Sequence, residues 1–458
     1  MKRIYFGTDG VRGPYGGPVI NEEFAVQLGA AVVRWLRGVG EVRANVHEGA
    51  DSVAVGRVLI GRDTRASGAS LEAAVAAGLR SAGAEPISLG VLPTPAVALA
   101  TKASGARLGV VITASHNPAC DNGIKFFGPH GEKLTDADEA IIESFLNEAI
   151  YHRAVEPLEV SDQAITDYIR SAGNYLPAGS LNGWKIALDT ANGATSKTSP
   201  EVLRRLGAEI FGIGDSPDGT NINADVGSEH PKLLAQKVKE NEARLGVAHD
   251  GDGDRCILCD ETGSVLDGDE VLTLLAVHAI NENRLPKKTL VITVQSNLGV
   301  DAAINAIGGE VLRTSVGDRY VIEKMKEVGA ELGGESSGHI ICRDTSTTGD
   351  GLMAALKVIE VMQSTGRPLS ELRKILVKFP QASVALTVKA KLDFTDCPQL
   401  TMTMAALEQE LGKTGRLLVR YSGTESKLRL LVEGPTAEVV EAGMERLKIA
   451  ASADLTIL

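Results

Sequence analysis

Three aspartates separated by single glycines, Asp250, Asp252 and Asp254, form the densest knot of chemistry in this 458-residue chain. In a tight loop, alternate side chains can turn toward one centre, and glycine permits the backbone angles this requires. Carboxylates held that close repel unless a hard cation sits among them, and all-oxygen ligands suit Mg²⁺. An EF-hand reading fails, because Arg255 occupies the position that needs glycine. A second stretch, Thr113-Ala114-Ser115-His116-Asn117-Pro118, sets a hydroxyl at the end of an apolar run, with a proline stiffening the turn. A neutral hydroxyl is a poor nucleophile without activation. Phosphate-ester chemistry needs accelerations of up to about 10²¹-fold. A carrier, a metal, cationic donors and a proton shuttle must therefore act together. Ser115 is the candidate carrier of a covalent phosphoryl group.

Other stretches supply the remaining parts. Arg420-Tyr421-Ser422-Gly423-Thr424-Glu425-Ser426-Lys427, continuing to Arg429, combines hydroxyls, loop amides and guanidinium groups. That set makes a phosphate cradle, since arginine's planar fork matches phosphate better than a lysine does. Glu335, Ser337 and His339 alternate, so on an extended segment they share a face. Carboxylate and hydroxyl suit sugar hydroxyls, and His339 can shuttle a proton. Lys125, on the strand returning from the serine loop, can neutralise a transferring oxygen. His116 neighbours Ser115, but adjacent residues on a tight turn diverge, so it ranks behind as a base.

The elements that must position these residues read as an alternating α/β chain. Strands are expected over 58–60, 86–89, 108–112 and 124–127, with helices over 22–37, 70–81 and 136–149. After a loose stretch at 152–160, strands over 184–188, 208–213 and 246–248 alternate with helices over 200–206 and up to 244. The aspartate loop follows, and then a strand over 255–260. A third round has strands over 290–294 and 310–313 and helices over 269–282, 300–307 and 350–363, with Gly317-Asp318-Arg319 opening another. A linker-like 367–380 leads to strand, helix, strand, loop, strand and helix. The last helix carries Val440, Met444 and Leu447 at helical spacing. The chain thus divides into three α/β modules, 1–158, 159–264 and 265–376, and a smaller α+β module, 377–458. Similar module sizes hint at duplication, without a residue-level repeat. The 38–56 stretch reads as an inserted excursion.

Composition narrows the class. Net charge is −12, which argues against nucleic acid as the main partner, and aromatics are only 4%. The N-terminus lacks a signal-peptide pattern and no apolar run can cross a bilayer, so a cytoplasmic protein is expected. The five cysteines are odd in number and irregularly spaced, which indicates reduced thiols. Cys256 and Cys259 form a CxxC, but on a strand they point to opposite faces.

Taken in order, Gly7-Thr8-Asp9-Gly10, the Ser115 stretch, Asp250 to Arg255, Gly334-Glu335-Ser336-Ser337-Gly338-His339 and Arg420 to Glu425 resemble the α-D-phosphohexomutase superfamily over nearly the whole chain. Gly10-Val11-Arg12-Gly13, Asp121 to Phe127 and the doubled glycine before Glu335 are most similar to its branch acting on glucosamine phosphates. The resemblance implies a four-domain architecture around one central cleft, with three mixed-sheet α/β domains and a smaller C-terminal α+β domain. It implies interconversion of glucosamine 6-phosphate and glucosamine 1-phosphate, on the route to UDP-N-acetylglucosamine, through a phosphoserine at Ser115 and glucosamine 1,6-bisphosphate as intermediate and activator. It implies one Mg²⁺ held by Ser115, Asp250, Asp252 and Asp254. Arg12 and Arg255 join the catalytic set with Ser115, His116, Lys125 and His339. Asp318 and Arg319 join Glu335, Ser337, Arg420, Ser422, Gly423, Thr424 and Arg429 in binding the substrate. A homodimer and closure of the last module are also expected. Phosphomannomutase or phosphoglucomutase activity is the alternative, and a phosphosugar sensor is less favoured, because a sensor needs no carrier. Tyr421 and Ser426 stand where many relatives have prolines.

Overall fold

A computed structural model describes residues 3–44, 56–146, 156–412, 414–422 and 426–458. The first sheet contains β1 (Val11–Pro14), β2 (Arg57–Arg62), β3 (Glu85–Val91), β4 (Leu108–Ile112) and β5 (Asp121–Phe127), in spatial order β1-β5-β4-β2-β3. The second contains β6 (Lys185–Asp189), β7 (Glu209–Ile213), β8 (Leu245–Ala248), β9 (Ile257–Asp260) and β10 (Val265–Leu266), in order β10-β9-β8-β6-β7. The third contains β11 (Thr289–Thr293), β12 (Glu310–Thr314), β13 (Leu332–Gly334) and β14 (Ile340–Cys342), in order β12-β11-β13-β14. The fourth is β15 (Gln381–Thr387), β16 (Arg416–Tyr421) and β17 (Lys427–Glu433), all antiparallel, in order β15-β17-β16.

The hint of duplication acquires a physical form. In each of the first three sheets, four core strands stand in the order fourth, third, first, second, and only the fourth runs antiparallel. The hairpin between third and fourth strands carries the chemistry every time. It holds Ser115 between β4 and β5, the aspartates between β8 and β9, and Glu335 to His339 between β13 and β14. The β16–β17 hairpin of the last module holds the arginine-rich loop. Parallel strands need both faces covered, which is why β4, β8 and β11 read as unbroken apolar runs and are buried throughout.

The first three modules share packing. One continuous buried cluster includes Val97 and Val111, Tyr168 and Leu188, then Leu290 and Met362. The last module has its own core, in which Val440, Met444 and Leu447 face Leu428, Leu430 and Val432. Its attachment to the third module is polar. Arg416 reaches the Ser296 carbonyl, Glu433 accepts from the Leu298 amide at 3.2 Å, and Asn297 donates to the Phe379 carbonyl at 3.0 Å.

Several expectations are corrected. The first helix is Glu22–Ala44, so the excursion begins as more helix, and 45–55 lie outside the described residues. The helix beginning at Asp136 is described as far as Ser144. Three α-helices were not expected, Thr94–Ser104, Gln163–Gly173 and the short Leu369–Leu372. Pro95 lies in the first turn of the first, where proline fits a helix. The helix before β8 is Lys232–Glu240, four residues shorter than expected. The 255–260 strand begins at Ile257. The 367–380 stretch is not a free tether: Leu369 and Leu372 are buried, and Arg373 pairs with Asp260 and Glu270. Cys256 and Cys259 do point apart, into two different clusters, and all five thiols are free. Among the described residues, no helix is long and apolar enough to cross a membrane.

Candidate active site

Ser115 lies just beyond β4 with a left-handed backbone, φ 52°, uncommon for any residue but glycine and asparagine. Thr113 Oγ1 accepts its amide at 2.8 Å, and its own Oγ donates to Asp250 Oδ2 at 2.6 Å. The side chain is buried. The serine and the aspartate loop, 135 residues apart, are therefore in direct contact.

The aspartate loop is gripped from two sides. Thr94 Oγ1, at the start of helix Thr94–Ser104, donates to Asp252 Oδ2 at 2.7 Å. Arg255 forms an antiparallel bridge with His339, and Cys256 donates its amide to the Gly338 carbonyl at 2.9 Å. Modules one and three thus hold the loop of module two. Ligand oxygens of Asp250, Asp252 and Asp254 all fall within 4.8 Å, the only such group among the described residues. Asp252 Oδ1 and Asp254 Oδ1 are buried without a hydrogen-bond partner. Unpaired buried oxygens are costly. Burial, reinforced by the charges of Asp252 and Asp254, pushes Asp250 well above the usual carboxylate range. Burial acts on Asp252 in the same sense, but Lys125, Thr94 and Arg12 outweigh it and hold its pKa down. A divalent cation relieves both problems, so the residues fit one.

Lys125 is fully buried rather than on the surface. Its Nζ lies 2.8 Å from Asp252, 2.9 Å from Asp9 and 3.5 Å from Asp254. A buried ammonium persists only when paired in this way. Arg12 pairs with Asp9, and burial lowers its pKa despite the aspartates around it. Arg255 pairs with Glu229 at 3.1 Å and sits 4.0 Å from Asp250. Burial alone would lower its pKa, but Asp250, Asp254, Glu229 and Glu335 raise it. His116 Nδ1 is 3.3 Å from Ser115 Oγ. Burial, then the charges of Arg255 and Arg12, push its pKa down to about 3, so its ring is neutral at ordinary pH and a weak base.

The third module differs from expectation. Glu335 to His339 is a hairpin turn, not an extended segment, with the Gly338 amide bonded to the Glu335 carbonyl at 3.1 Å. Glu335 Oε1 accepts the Gly317 amide at 3.0 Å, and Ser337 stands partly exposed at the turn. His339 Nε2 lies 3.3 Å from Asp318 and 3.7 Å from Asp254. Asp318 is buried and turned to Lys133, 2.5 Å away, and to His339. Arg319 also faces protein carboxylates. Its guanidinium is buried against Asp136 and Glu139, which Arg3 also contacts, so it clamps the third module to the first.

Lys133 and Asp9 were missed as site residues. Lys133 joins Asp9 of the first module to Asp318 of the third. Lys125, Asp9, Lys133, Asp318, His339 and Asp254 close into a ring in which two lysines and a histidine alternate with three aspartates. Nothing local marks Lys133, which reads as a solvated hairpin lysine.

In the last module, Arg420 on β16 and Arg429 on β17 are directly opposite partners. With Gln295 of the third module they line a pocket of about 190 Å³. Burial, then the charge of Arg429, lowers the pKa of Arg420. Like charges directly opposite one another in a sheet repel. Ser422 is buried, and its carbonyl accepts from Lys391 Nζ at 2.6 Å, a further cation the sequence reading missed. Gly423 and Thr424 lie outside the described residues.

Comparison with known proteins agrees with this arrangement. Four family models match in chain order: phosphoglucomutase/phosphomannomutase alpha/beta/alpha domain I over 3–152, domain II over 166–263, domain III over 267–379, and the C-terminal domain over 359–449. The phosphoglucosamine mutase of Pelobacter propionicus is 44% identical over 95% of this chain and 94% of its own. That of Geobacillus kaustophilus is 44% identical over 97% of each. Among solved structures, a phosphoglucomutase/phosphomannomutase family protein from Burkholderia thailandensis superimposes with a TM-score of 0.81 at 23% identity, over 99% of this chain and 98% of its own. Aspergillus fumigatus N-acetylphosphoglucosamine mutase, in complex with GlcNAc-6P and magnesium, shares the fold with a TM-score of 0.64 at 17% identity, over 99% of this chain and 96% of its own. The chain belongs to the phosphoglucomutase/phosphomannomutase family and, within it, to the phosphoglucosamine mutases.

Proposed function

We propose that this enzyme interconverts glucosamine 6-phosphate and glucosamine 1-phosphate by way of a phosphate carried on Ser115. The observation that carries the reading is the 2.6 Å contact between Ser115 Oγ and Asp250, inside a buried three-carboxylate cluster. A serine hydroxyl in that place suits group transfer.

With phosphate on Ser115, a sugar hydroxyl attacks phosphorus and the serine O–P bond breaks, giving glucosamine 1,6-bisphosphate; the departing Ser115 Oγ takes up a proton, which it gives up when it is phosphorylated again. The proton of the attacking hydroxyl passes to His339, which reaches the aspartate loop from the third module. Lys125, fixed by Asp252 and Asp9, places its charge beside the transferring group. After the bisphosphate turns over, its other phosphate returns to Ser115. Arg420, Ser422 and Arg429 hold the phosphate not in transfer, and Glu335 with Ser337 binds ring hydroxyls. Asp250, Asp252, Asp254 and the serine phosphate would hold Mg²⁺. When bound, the ion supplies charge neutralisation for the phosphoryl oxygens. The orphaned oxygens support this, as does the magnesium in the Aspergillus relative.

The test is a substrate panel on the purified enzyme with intact-mass analysis. We expect one phosphate on Ser115 and a kcat/KM for glucosamine 1-phosphate well above those for glucose and mannose 1-phosphates. The reverse ranking transfers the specificity to a phosphogluco- or phosphomannomutase. Net phosphate release without isomerisation makes the protein a phosphatase.

A further inference from the structure

The Ser115 loop wraps around a buried arginine that the mechanism above does not use. Arg65 is 1% exposed and lies on the turn after β2. A guanidinium has five N–H donors in a fixed plane, and here each has an acceptor. Nε donates to Asp63 at 2.8 Å. Nη1 donates to the carbonyls of Pro118 and, at 2.8 Å, Asp121. Nη2 donates to the carbonyls of Ser115 at 3.1 Å and Asn117 at 2.8 Å. The cation is therefore saturated by one carboxylate and four carbonyls and cannot also serve as a phosphate ligand. From the second module, Asn223 Nδ2 donates to the same two carbonyls, Ser115 at 2.8 Å and Asn117 at 3.0 Å. Its amide is tied to the Ala191 carbonyl at 2.9 Å. A Cβ on Gly251 of the metal loop would lie 2.6 Å from the Ser115 carbonyl, so that loop packs against the same atom.

We propose that Arg65 and Asn223 are positioning residues for phosphoryl transfer. They hold the serine loop's carbonyls inward, and this fixes Ser115 in its left-handed backbone and turns Oγ outward to Asp250. With the amide held by Thr113 and the carbonyl by both clamps, only the side chain of Ser115 can move. The carrier must serve two different sugar oxygens, so both transfers use one fixed serine. Asn223 additionally registers the first module's serine on the second module's metal loop. This inference rests on Ser115 being the phosphoryl carrier.

The experiment compares Asn223→Asp, Asn223→Ala, Arg65→Lys and Ser115→Ala in the full-length enzyme with glucosamine 1-phosphate. Asp preserves the shape of Asn but removes both donors and sets an anion against two carbonyls. Lysine retains the charge of Arg65 but not the planar fork. Misplacing a reacting group by about 1 Å costs about 10²-fold. We expect kcat to fall about 100-fold in Asn223→Asp and Arg65→Lys and about 10-fold in Asn223→Ala, with KM within about threefold. Thermal melting of Asn223→Asp should stay near wild type, because that side chain is only partly buried, whereas alanine at its left-handed backbone, φ 58°, should melt somewhat lower. An Asn223→Asp enzyme with wild-type kcat, or with a raised KM and unchanged kcat, overturns the proposal, even if Arg65→Lys does not fold. Ser115→Ala separates the two ideas. If it retains activity, the carrier reading fails; if it is inactive while Asn223→Asp is normal, only the positioning role fails.

Discussion

The serine–aspartate junction and the arginine pair of the last module are built on opposite principles. At the junction, charges are buried and almost all are matched: Lys125 by Asp252 and Asp9, Lys133 by Asp9 and Asp318, Arg255 by Glu229 and Asp250. What is left over is negative, the two orphaned aspartate oxygens. In the last module, two arginines face each other across a sheet with a pocket before them. The junction is set in a core shared by three modules, whereas the arginine pair belongs to a module with its own core and a polar seam. Chemistry needs a fixed geometry and a preset field. Binding a phosphate from either end of a sugar, the role proposed for the arginine pair, tolerates more compliance than the transfer itself.

The comparison can be broken by mutation. The largest effect is expected for Ser115→Ala, a loss of at least about 10⁴-fold in isomerisation, or roughly 5.4 kcal/mol of barrier. The variant should melt like wild type, because serine and alanine differ little in volume. A surviving wild-type rate would end the covalent mechanism. Next, Asp252→Asn should lower kcat about 10²–10³-fold and weaken Mg²⁺ activation, read from a metal titration after chelation. An unchanged metal dependence would remove Asp252 from the ligand set. Lys133→Met should cost about 3 kcal/mol of stability, because it strands buried Asp318 and weakens the hold on Asp9. It should also lower kcat about 30-fold through a loosened His339. A melting point equal to wild type would show that the charge ring carries no load. The smallest effect on chemistry is expected for Arg420→Ala, which should raise KM about 10-fold and leave kcat within about threefold. A pure kcat loss would erase the distinction between the two regions.

Legibility followed chain distance. The alternating pattern disclosed most strands, because buried parallel strands are unbroken apolar runs such as Leu108–Ile112. The serine, the aspartates and the arginine loop stood out because each is a compact local pattern. Helix Thr94–Ser104 was not expected, yet its first residue grips Asp252. The extended reading of Glu335 to His339 failed because alternation cannot distinguish a strand from the turn that closes a hairpin. The pairing of Arg319 with Asp136 and Glu139, some 180 residues away, is invisible in the local pattern.

The sequence alone determined the chemical inventory: a hydroxyl on a stiff turn, three carboxylates spaced by glycine, a cationic loop, and the alternation that sets each at a strand end. Those are local properties of side chain and backbone. Only the tertiary structure decided which charges are spent on one another. It gave Lys125 to Asp252, Arg65 to the serine loop's carbonyls and Lys133 to the seam between modules. Electrostatic pairing depends on distance through space and on exclusion of water. A linear chain specifies neither until its modules have packed.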